Sequence, residues 1–587
     1  MTEAKTDTRT APGSYNAKGE PQHAWNLSPS DRTDAVQCPL PPEAVLPVIF
    51  VPGIMGTNLM TVPDAENGDG LPVWRLDAGS FNKNFWLFRR WNGVAAGERQ
   101  QILHPDRVTI DDGGAVPKRQ AGSVRPTSGS DEQGQQAQLA ELYRARGWGE
   151  VSETSYHDFL LHLEATLNND FLPHRWPQFH VEPDQLETLD ASSPPRLKPG
   201  APIRMPALQD LVESEGLPTM LSDDLLARSL YRMPIHACGY NWLASNKDAA
   251  ERLAERIAQV IQQYGDACKQ VILVTHSMGG LVARQCARLP GMSECIAGIV
   301  HGVMPANGAP VAYRRCKLGM REESFMASKV IGPTGREISA VFAQAPGALQ
   351  LLPTTQYRPG WLRLFDEQGK PIMPTWPAMD PYEEIYLRRD RWWGLMREEW
   401  LSPENGAPIT WQTFADNITA AKDFHRDLGL FYHTSTYAYY GADARQPSFD
   451  SITWDMKRPR YPQESQGSLT GSDFSDMETD AVIGGSNPVL LKLPERAGTQ
   501  HPGDRRPPAA AHWKLRCRMQ DGIGDGTVPE ASGRAPQQQA QSSQVRYQFR
   551  LTGFDHEKSY LNARAQAVTL YSVIKIAAQA TKPACIQ

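Results

Sequence analysis

The stretch VILVTHSMGGLVAR, residues 271–284, decides the fold. Its first four residues are apolar without polar alternation, which predicts a short strand buried on both faces. After the two glycines the sequence suits a helix, and Ser277 stands at the bend between the two elements. A serine in a sharp strand-to-helix turn is typical of a nucleophile elbow, which holds the hydroxyl above the edge of a sheet. The usual motif is G-x-S-x-G. Because Thr275 replaces the first glycine, an ordinary strand-to-helix turn containing a serine is the alternative.

Segments on both sides of this turn repeat the alternation of buried strand and amphipathic helix. Residues 247–264 form the clearest helix: Ser245 or Asn246 can cap it, apolar residues share one face, and Gly265 ends it. Further elements are strands within residues 44–51, 233–242, 295–301, 435–440, 513–519 and 544–551, and a helix at residues 562–577. This order predicts the α/β class and, with the elbow, an α/β-hydrolase fold with a mostly parallel central sheet.

Long stretches separate the core strands, and they are too large for ordinary connections. Within the first of them, residues 137–145 and 158–167 have helical patterns. Polar composition without an apolar pattern predicts a flexible segment at the start of the chain, and a segment rich in Ser, Gly, Gln and Pro predicts a mobile loop near its end. The expected organisation is an arm at 1–40 and a hydrolase domain at 41–587, with cap or lid insertions at about 60–225 and 310–430 and a mobile loop at about 460–510.

Composition and charge exclude some classes of function. The chain has 587 residues, a net charge of −6 and a pI near 6.2, so no general attraction to nucleic acid is expected. It has no run of 18 apolar residues, and its first 22 residues do not resemble a secretory signal. We therefore expect synthesis in the cytoplasm and, if the protein leaves the cell, a route that needs no cleaved signal.

The eight cysteines are scattered and form no C-x-x-C motif. This pattern favours free, mostly buried thiols over a zinc site. We expect no metal site and no cofactor.

Two later segments supply partners for a catalytic serine. A serine nucleophile needs a histidine as its base and a carboxylate to orient that histidine, and in α/β hydrolases the chain order is serine, acid, histidine. Asp525 lies in a Gly-rich turn after the strand near residues 513–519, and His556 follows the strand at 544–551. We therefore predict the triad Ser277, Asp525 and His556. The alternatives that remain are Asp521 and Asp443 as the acid and His301, His433 and His512 as the base.

The oxyanion hole of such a site uses the backbone N–H after the nucleophile and one from the loop after the first strand. The first is that of Met278. The loop VPGIMG has the position required for the second, and Gly53 and Gly56 would let it fold back so that the Ile54 N–H points at the developing charge. A tight turn without this role is the alternative.

Several motifs together resemble a known family. VPGIMGTNL, VWRLD (residues 73–77), GYNW (239–242), THSMGGLVAR, GVMPANG (302–308), GDGTVP and the GFDH histidine resemble lecithin:cholesterol acyltransferase-like lipases and, more closely, the third family of type VI secretion lipase effectors. The resemblance implies an antibacterial toxin that is secreted into the periplasm of a rival cell and hydrolyses phospholipids there. It also implies a cognate immunity protein and type VI spike or adaptor proteins as partners.

The aromatic and basic stretch at residues 81–91 could contact the interface of a bilayer, or it could pack inward as core. The pair Trp392 and Trp393 has the same two alternatives. For the activity, the alternatives to a lipase are an acyltransferase of the same fold and a catalytically inactive hydrolase fold used for binding.

Overall fold

The computed structural model describes the greater part of the chain. The described residues are 42–63, 68–75, 91–119, 132–168, 178–187, 196–321, 328, 331–372, 375–404, 406, 408–457, 474–475, 477–482, 489–492, 513–540 and 544–583. Before residue 42 it describes four three-residue strands, Thr8–Thr10, Gly13–Tyr15, Pro21–His23 and Ala35–Gln37. The first of these pairs with the fourth and the second with the third. The rest of the expected arm at 1–40 lies outside the described residues.

The core of the fold is a six-stranded sheet. Its strands are β1 (Val48–Val51), β2 (Ile235–Ala237), β3 (Val271–His276), β4 (Ile296–Gly302), β5 (Thr436–Gly441) and β6 (Val545–Leu551). Their order across the sheet is β2-β1-β3-β4-β5-β6, and every neighbouring pair is parallel. All residues of β3 are buried, because protein covers both faces of a parallel sheet. The predicted α/β-hydrolase fold with a mostly parallel sheet is confirmed.

Three helices cover the two faces of this sheet: α1 (Asn246–Tyr264), α2 (Gly279–Arg288) and α3 (Ala563–Ala577). Side chains alternate along β3, so Val271 and Leu273 pack in one buried cluster with α1 and α2, while Ile272 and Val274 pack in a second with α3. Ser245 caps α1, as predicted. The other predicted strands and helices of the core exist, with ends shifted by a few residues, but the strand predicted at 513–519 lies in a second sheet, as Trp513–Cys517 with antiparallel neighbours.

The first insertion packs on both faces of the sheet: Val73, Trp91 and Val108 lie in the buried cluster of α1 and α2, and its later part lies in the cluster of α3. Phe159 and Leu160 lie in the same buried cluster as Phe50 of β1. Both helices predicted in this insertion are present. Its elements are the three-stranded sheet Leu59–Thr61, Pro72–Trp74 and Val108–Ile110, the paired strands Leu186–Glu187 with Arg196–Leu197 and Pro202–Ile203 with Met220–Leu221, the helices Ala96–Ile102, Glu132–Ala145, Asp158–Asn168, Gln209–Glu215 and Ser222–Ser229, and the π-helical turn Glu153–His157.

A second sheet joins the second insertion to the later part of the chain. Leu362–Phe365, within the insertion, pairs in parallel with Ile452–Lys457, and the sheet continues through Trp513–Cys517, Val489–Lys492 and Glu478–Val482. The last two strands fall within the loop expected at 460–510, most of which lies outside the described residues. The helices here are Pro310–Leu318, Gly335–Phe342, Pro346–Leu349 and Trp411–Leu428.

Further short elements include the strand pairs Ala44–Val45 with Tyr231–Arg232 and Asp443–Ser448 with Gly522–Gly524, and the short helices Met292–Cys295, Glu530–Gly533, Ala535–Gln539 and Ser559–Leu561.

The tryptophan pair of the second insertion belongs to the core. Trp392 and Trp393 are buried, and each indole N–H donates to a backbone carbonyl. The interface interpretation is therefore wrong for this pair. Residues 81–90 lie outside the described residues, and Trp91 is buried. No helix in the described part of the chain is long and apolar enough to cross a membrane.

An ionisable side chain is buried against the backbone of the same tryptophan pair. The Lys317 ammonium donates to the Trp392 carbonyl at 2.9 Å and to the Gly394 carbonyl at 2.7 Å, and the Tyr313 hydroxyl donates to the Trp393 carbonyl at 2.8 Å. Burial lowers the pKa of Lys317 to about 7. The six described cysteines are free thiols, and five of them are buried, as expected.

Candidate active site

Ser277 occupies a sharp turn between β3 and α2. Its φ is +52°, in the left-handed region that costs a residue with a side chain about 1–3 kcal/mol. A Cβ on Gly279 would stand 2.4 Å from the carbonyl oxygen of Pro52, so the helix can approach β1 this closely only with glycine there. The Ser277 N–H donates to the Gly302 carbonyl at 2.9 Å, which fixes the turn against the end of β4. This is the geometry of the predicted nucleophile elbow.

Backbone strain is concentrated at one edge of the sheet. Among the described residues, the non-glycine residues with positive φ are Met55 at +63°, Ser277 at +52° and Val303 at +46°. Each lies just after the carboxyl end of one of the adjacent strands β1, β3 and β4. Such strain persists where the surrounding structure holds it, and it is common at functional sites.

His556 joins Ser277 and Asp525 in one hydrogen-bonded row. Its Nε2 lies 2.9 Å from Ser277 Oγ, and its Nδ1 lies 2.8 Å from Asp525 Oδ2. The His556 N–H also donates to the Asp525 carbonyl at 2.8 Å, so backbone and side chain together fix the ring relative to the acid. An ionised carboxylate can only accept, so Nδ1 carries the proton and Nε2 is free to accept the proton of the serine hydroxyl.

Asp525 is held firmly in this position. Its side chain is 1% exposed, and its Oδ1 accepts from the N–H groups of Thr527 at 3.0 Å and Val528 at 2.7 Å. These two bonds leave Oδ2 for His556. The N–H of Asp525 donates to Ser448 Oγ at 3.2 Å, which ties the turn to the neighbouring strand pair.

The alternative candidates have other partners. Asp521 accepts from the N–H groups of Asp450 and Ser451, and Asp443 accepts from the N–H groups of Arg445 and Gly553. His301 pairs with Thr275 Oγ1 and His433 with the Ser293 carbonyl, and His512 lies outside the described residues. Of all the candidates, the structure brings together Ser277, Asp525 and His556.

The loop after β1 lies directly against the serine. A Cβ on Gly53 would stand 3.0 Å from Ser277 Cβ. Other segments bind the polar groups of this loop: the Tyr240 hydroxyl donates to the Pro52 carbonyl at 2.9 Å, and the Trp74 indole donates to the Met55 carbonyl at 2.6 Å. Among the described residues, none accepts a hydrogen bond from the Ile54 N–H.

The Met278 N–H also donates to no acceptor within the described part of the chain, since Met278 stands before the first turn of α2. The Ser277 amide is already used by Gly302. The two amides predicted for the oxyanion hole are thus both unpaired within the described part of the chain.

Two further side chains lie at this site that were not predicted from the sequence, His276 and Tyr156. His276 Nε2 lies 2.9 Å from the His556 carbonyl, and His276 Nδ1 lies 3.0 Å from the Tyr156 hydroxyl. Burial, with His556 close by, lowers the pKa of His276 to about 3, and burial raises the pKa of Tyr156. The place of His276 beside the nucleophile was a signal in the sequence. Tyr156 has no comparable signal, because it comes from the π-helical turn of the first insertion.

The sheet, the elbow and the row of polar side chains at its edge define an α/β hydrolase. Residues 243–326 match the PGAP1-like alpha/beta domain family. No match is found among curated proteins. A solved structure, the Tle4-Tli4 complex, aligns with a TM-score of 0.65 and 30% identity over 92% of this chain and 99% of that chain. The phospholipase PlaB from Legionella pneumophila aligns at a TM-score of 0.15 and 10% identity over 53% of this chain and 75% of its own.

The chain belongs to the type VI lipase effectors, the family of Tle4. The resemblance seen in the sequence motifs is therefore confirmed at this level. The relative is named Tle4, so it does not support the narrower placement in the third family of these effectors.

Proposed function

We propose that the protein is a serine-dependent phospholipase that hydrolyses acyl esters of bacterial membrane phospholipids. The observation that carries the proposal is the unbroken row Ser277 Oγ, His556 Nε2, His556 Nδ1 and Asp525 Oδ2, with separations of 2.9 and 2.8 Å. Proton transfer requires this spacing between a nucleophile, its base and an orienting acid.

In this mechanism Ser277 Oγ attacks the ester carbonyl carbon while its proton moves to His556 Nε2. Asp525 holds the ring in the tautomer that can accept this proton and stabilises the imidazolium that forms. The oxygen of the tetrahedral intermediate accepts hydrogen bonds from the Ile54 and Met278 N–H groups. The imidazolium then gives its proton to the leaving alkoxide, and an acyl ester of Ser277 remains.

The second half of the reaction repeats these steps with water as the nucleophile. His556 takes a proton from water as the water oxygen attacks the acyl carbon. It then gives that proton to Ser277 Oγ as the bond between this oxygen and the acyl carbon breaks. The products are a free fatty acid and a lysophospholipid, and the enzyme is restored. No metal or cofactor takes part in the scheme.

Membership in the lipase-effector family supports the lipid substrate and the biological role. Because a solved relative is a complex of Tle4 with Tli4, we propose that this chain also binds a cognate immunity protein. We propose further that type VI secretion, with spike or adaptor proteins as carriers, delivers it into the periplasm of a rival bacterium as an antibacterial toxin.

The test is Ser277→Ala compared with the unchanged protein on mixed bacterial phospholipids, with products read by mass spectrometry. In a serine protease, loss of the nucleophile lowers kcat by on the order of 10⁶, so the variant should release no measurable fatty acid. Thermal unfolding should be little changed. Fatty acid release by the variant at more than a few per cent of the normal rate would contradict the proposal. So would transfer of the acyl group to an added alcohol in preference to water.

A further inference from the structure

We propose that Tyr156 and His276 are positioning residues that connect the oxyanion loop to the catalytic histidine through one directed chain of hydrogen bonds. The inference rests on the proposed function, because the proposed function gives His556 and the loop at residues 52–56 their roles. If the inference holds, the first insertion supplies a residue of the active site and does not only cover it.

The direction of the chain follows from what each atom can do. The Gly53 N–H can only donate, and it lies 3.2 Å from the Tyr156 hydroxyl oxygen. The His556 carbonyl can only accept, so His276 Nε2, 2.9 Å away, carries the proton of the ring and donates it. In the uncharged ring Nδ1 is then unprotonated, and it accepts from the Tyr156 O–H at 3.0 Å. Every group in the chain is satisfied in this one tautomer.

The chain is closed to water and electrically neutral. Tyr156 and His276 are 3% and 4% exposed. Because burial lowers the pKa of His276 to about 3, this ring is uncharged near neutral pH. Buried polar groups are costly when unpaired, so removal of one member leaves donors and acceptors that must move to find new partners.

The two ends of the chain are the parts of the site that need accurate placement. Gly53 precedes Ile54, whose N–H is the proposed oxyanion donor, and a Cβ on Gly53 would stand only 2.9 Å from His276 Nδ1. At the other end, the His556 carbonyl belongs to the residue whose ring contacts Ser277. A shift of either end changes the distance between the attacking oxygen, the base and the oxyanion donors.

The π-helical turn Glu153–His157 supports this arrangement at further points. Just before it, the Ser152 N–H donates to the Gly56 carbonyl at 2.9 Å, and within it Ser155 Oγ donates to Glu557 Oε1 at 3.1 Å. The turn therefore contacts the loop after β1 and the loop that carries His556. Single π-helical turns occur often at functional sites.

The first test is Tyr156→Phe, which removes only the hydroxyl. The matched control is Tyr313→Phe, because the Tyr313 hydroxyl is also buried and donates to the Trp393 carbonyl at 2.8 Å, in a part of the core that does not contact the triad. Activity is measured as kcat per active site, with sites counted by titration with a phosphonate ester that labels the serine. Misplacement of reacting groups by about 1 Å can cost on the order of 100-fold in rate, so a smaller shift should cost roughly 10- to 100-fold. We expect this loss in kcat for Tyr156→Phe, with KM nearly unchanged, and no such loss for Tyr313→Phe.

The second test distinguishes the hydrogen bond that His276 donates from the volume that its side chain fills. The amide nitrogen of glutamine can occupy the place of His276 Nε2, so His276→Gln keeps a donor for the His556 carbonyl, whereas His276→Leu does not. We expect the glutamine variant to keep a several-fold higher kcat per titrated site than the leucine variant. Equal activity of these two variants, or a Tyr156→Phe protein with full kcat per site, would overturn the proposal.

These outcomes are distinct from a failure of the proposed function. If Ser277→Ala retained activity, or if the phosphonate failed to label the unchanged protein, the serine mechanism would be wrong. If labelling and the loss in Ser277→Ala are as expected while Tyr156→Phe behaves like Tyr313→Phe, the triad stands and the positioning role alone is refuted.

Discussion

Replacement of Asp525 by asparagine should disable the enzyme by trapping His556 in the wrong tautomer. The reason lies in the two backbone N–H groups, of Thr527 and Val528, that bind Oδ1 of the acid at 3.0 and 2.7 Å. An asparagine must turn its amide oxygen toward these donors. Its NH₂ group then faces His556 Nδ1, and because NH₂ can only donate, Nδ1 must give up its proton. The proton moves to Nε2, where it blocks acceptance of the Ser277 proton.

The size of the effect follows from the cost of the opposite orientation. If the amide flipped, its NH₂ would face two buried N–H groups, and each unsatisfied donor costs about 1–3 kcal/mol. A total of roughly 2–6 kcal/mol makes the flipped form rarer than about one in 30. The variant should therefore lose at least about 30-fold in kcat, and about 10⁴-fold if it behaves like the corresponding serine protease variant.

The assay is phospholipid hydrolysis by purified Asp525→Asn, with Asp521→Asn as the matched control. Asp521 also accepts from two backbone N–H groups, those of Asp450 and Ser451 at 3.1 and 3.2 Å, but it does not contact His556. The control should therefore keep its activity while undergoing the same chemical change. If Asp525→Asn kept more than about a tenth of the normal kcat, or if Asp521→Asn lost as much, the tautomer argument and the assignment of the acid would be refuted.

Three further predictions concern the loop, the buried lysine and toxicity. Gly53→Ala places a methyl group 3.0 Å from Ser277 Cβ, so we expect a fall in kcat without unfolding, read from initial rates and thermal melts. Burial gives folded Lys317 a pKa of about 7, below its unfolded value, so the unfolding free energy of the native protein should rise between about pH 7 and pH 10 relative to that of Lys317→Met. If denaturant titrations give the same difference in unfolding free energy between the two proteins at every pH, the lowered pKa of Lys317 is refuted. Expression with an added secretory signal should kill a bacterium, whereas expression without the signal, or with the signal and His556→Ala, should leave colonies. Killing by the His556 variant would indicate a toxin that does not depend on hydrolysis.

Much of the site could be predicted from the sequence because a parallel sheet has a simple geometry. The carboxyl ends of its strands meet at one edge, so Ser277 after β3 and His556 after β6 were expected together once the strands were recognised. The buried apolar runs of these strands are local signals that do not depend on the rest of the chain. The amphipathic pattern of α1 and its cap at Ser245 are local in the same way.

Properties that depend on contacts distant in sequence were decided only by the tertiary structure. Asp521 and Asp525 lie four residues apart in one Gly-rich segment, and only packing of the turn against Ser448 shows which carboxylate contacts the histidine. Trp392 and Trp393 read equally well as a membrane contact until their burial is seen. Tyr156 reaches His276 across 120 residues, through an insertion with no repeated pattern. The sequence thus determined the order of the elements and the edge of the sheet at which the catalytic residues meet, because strand patterns are local. Long-range packing determined which polar groups form hydrogen bonds with one another there.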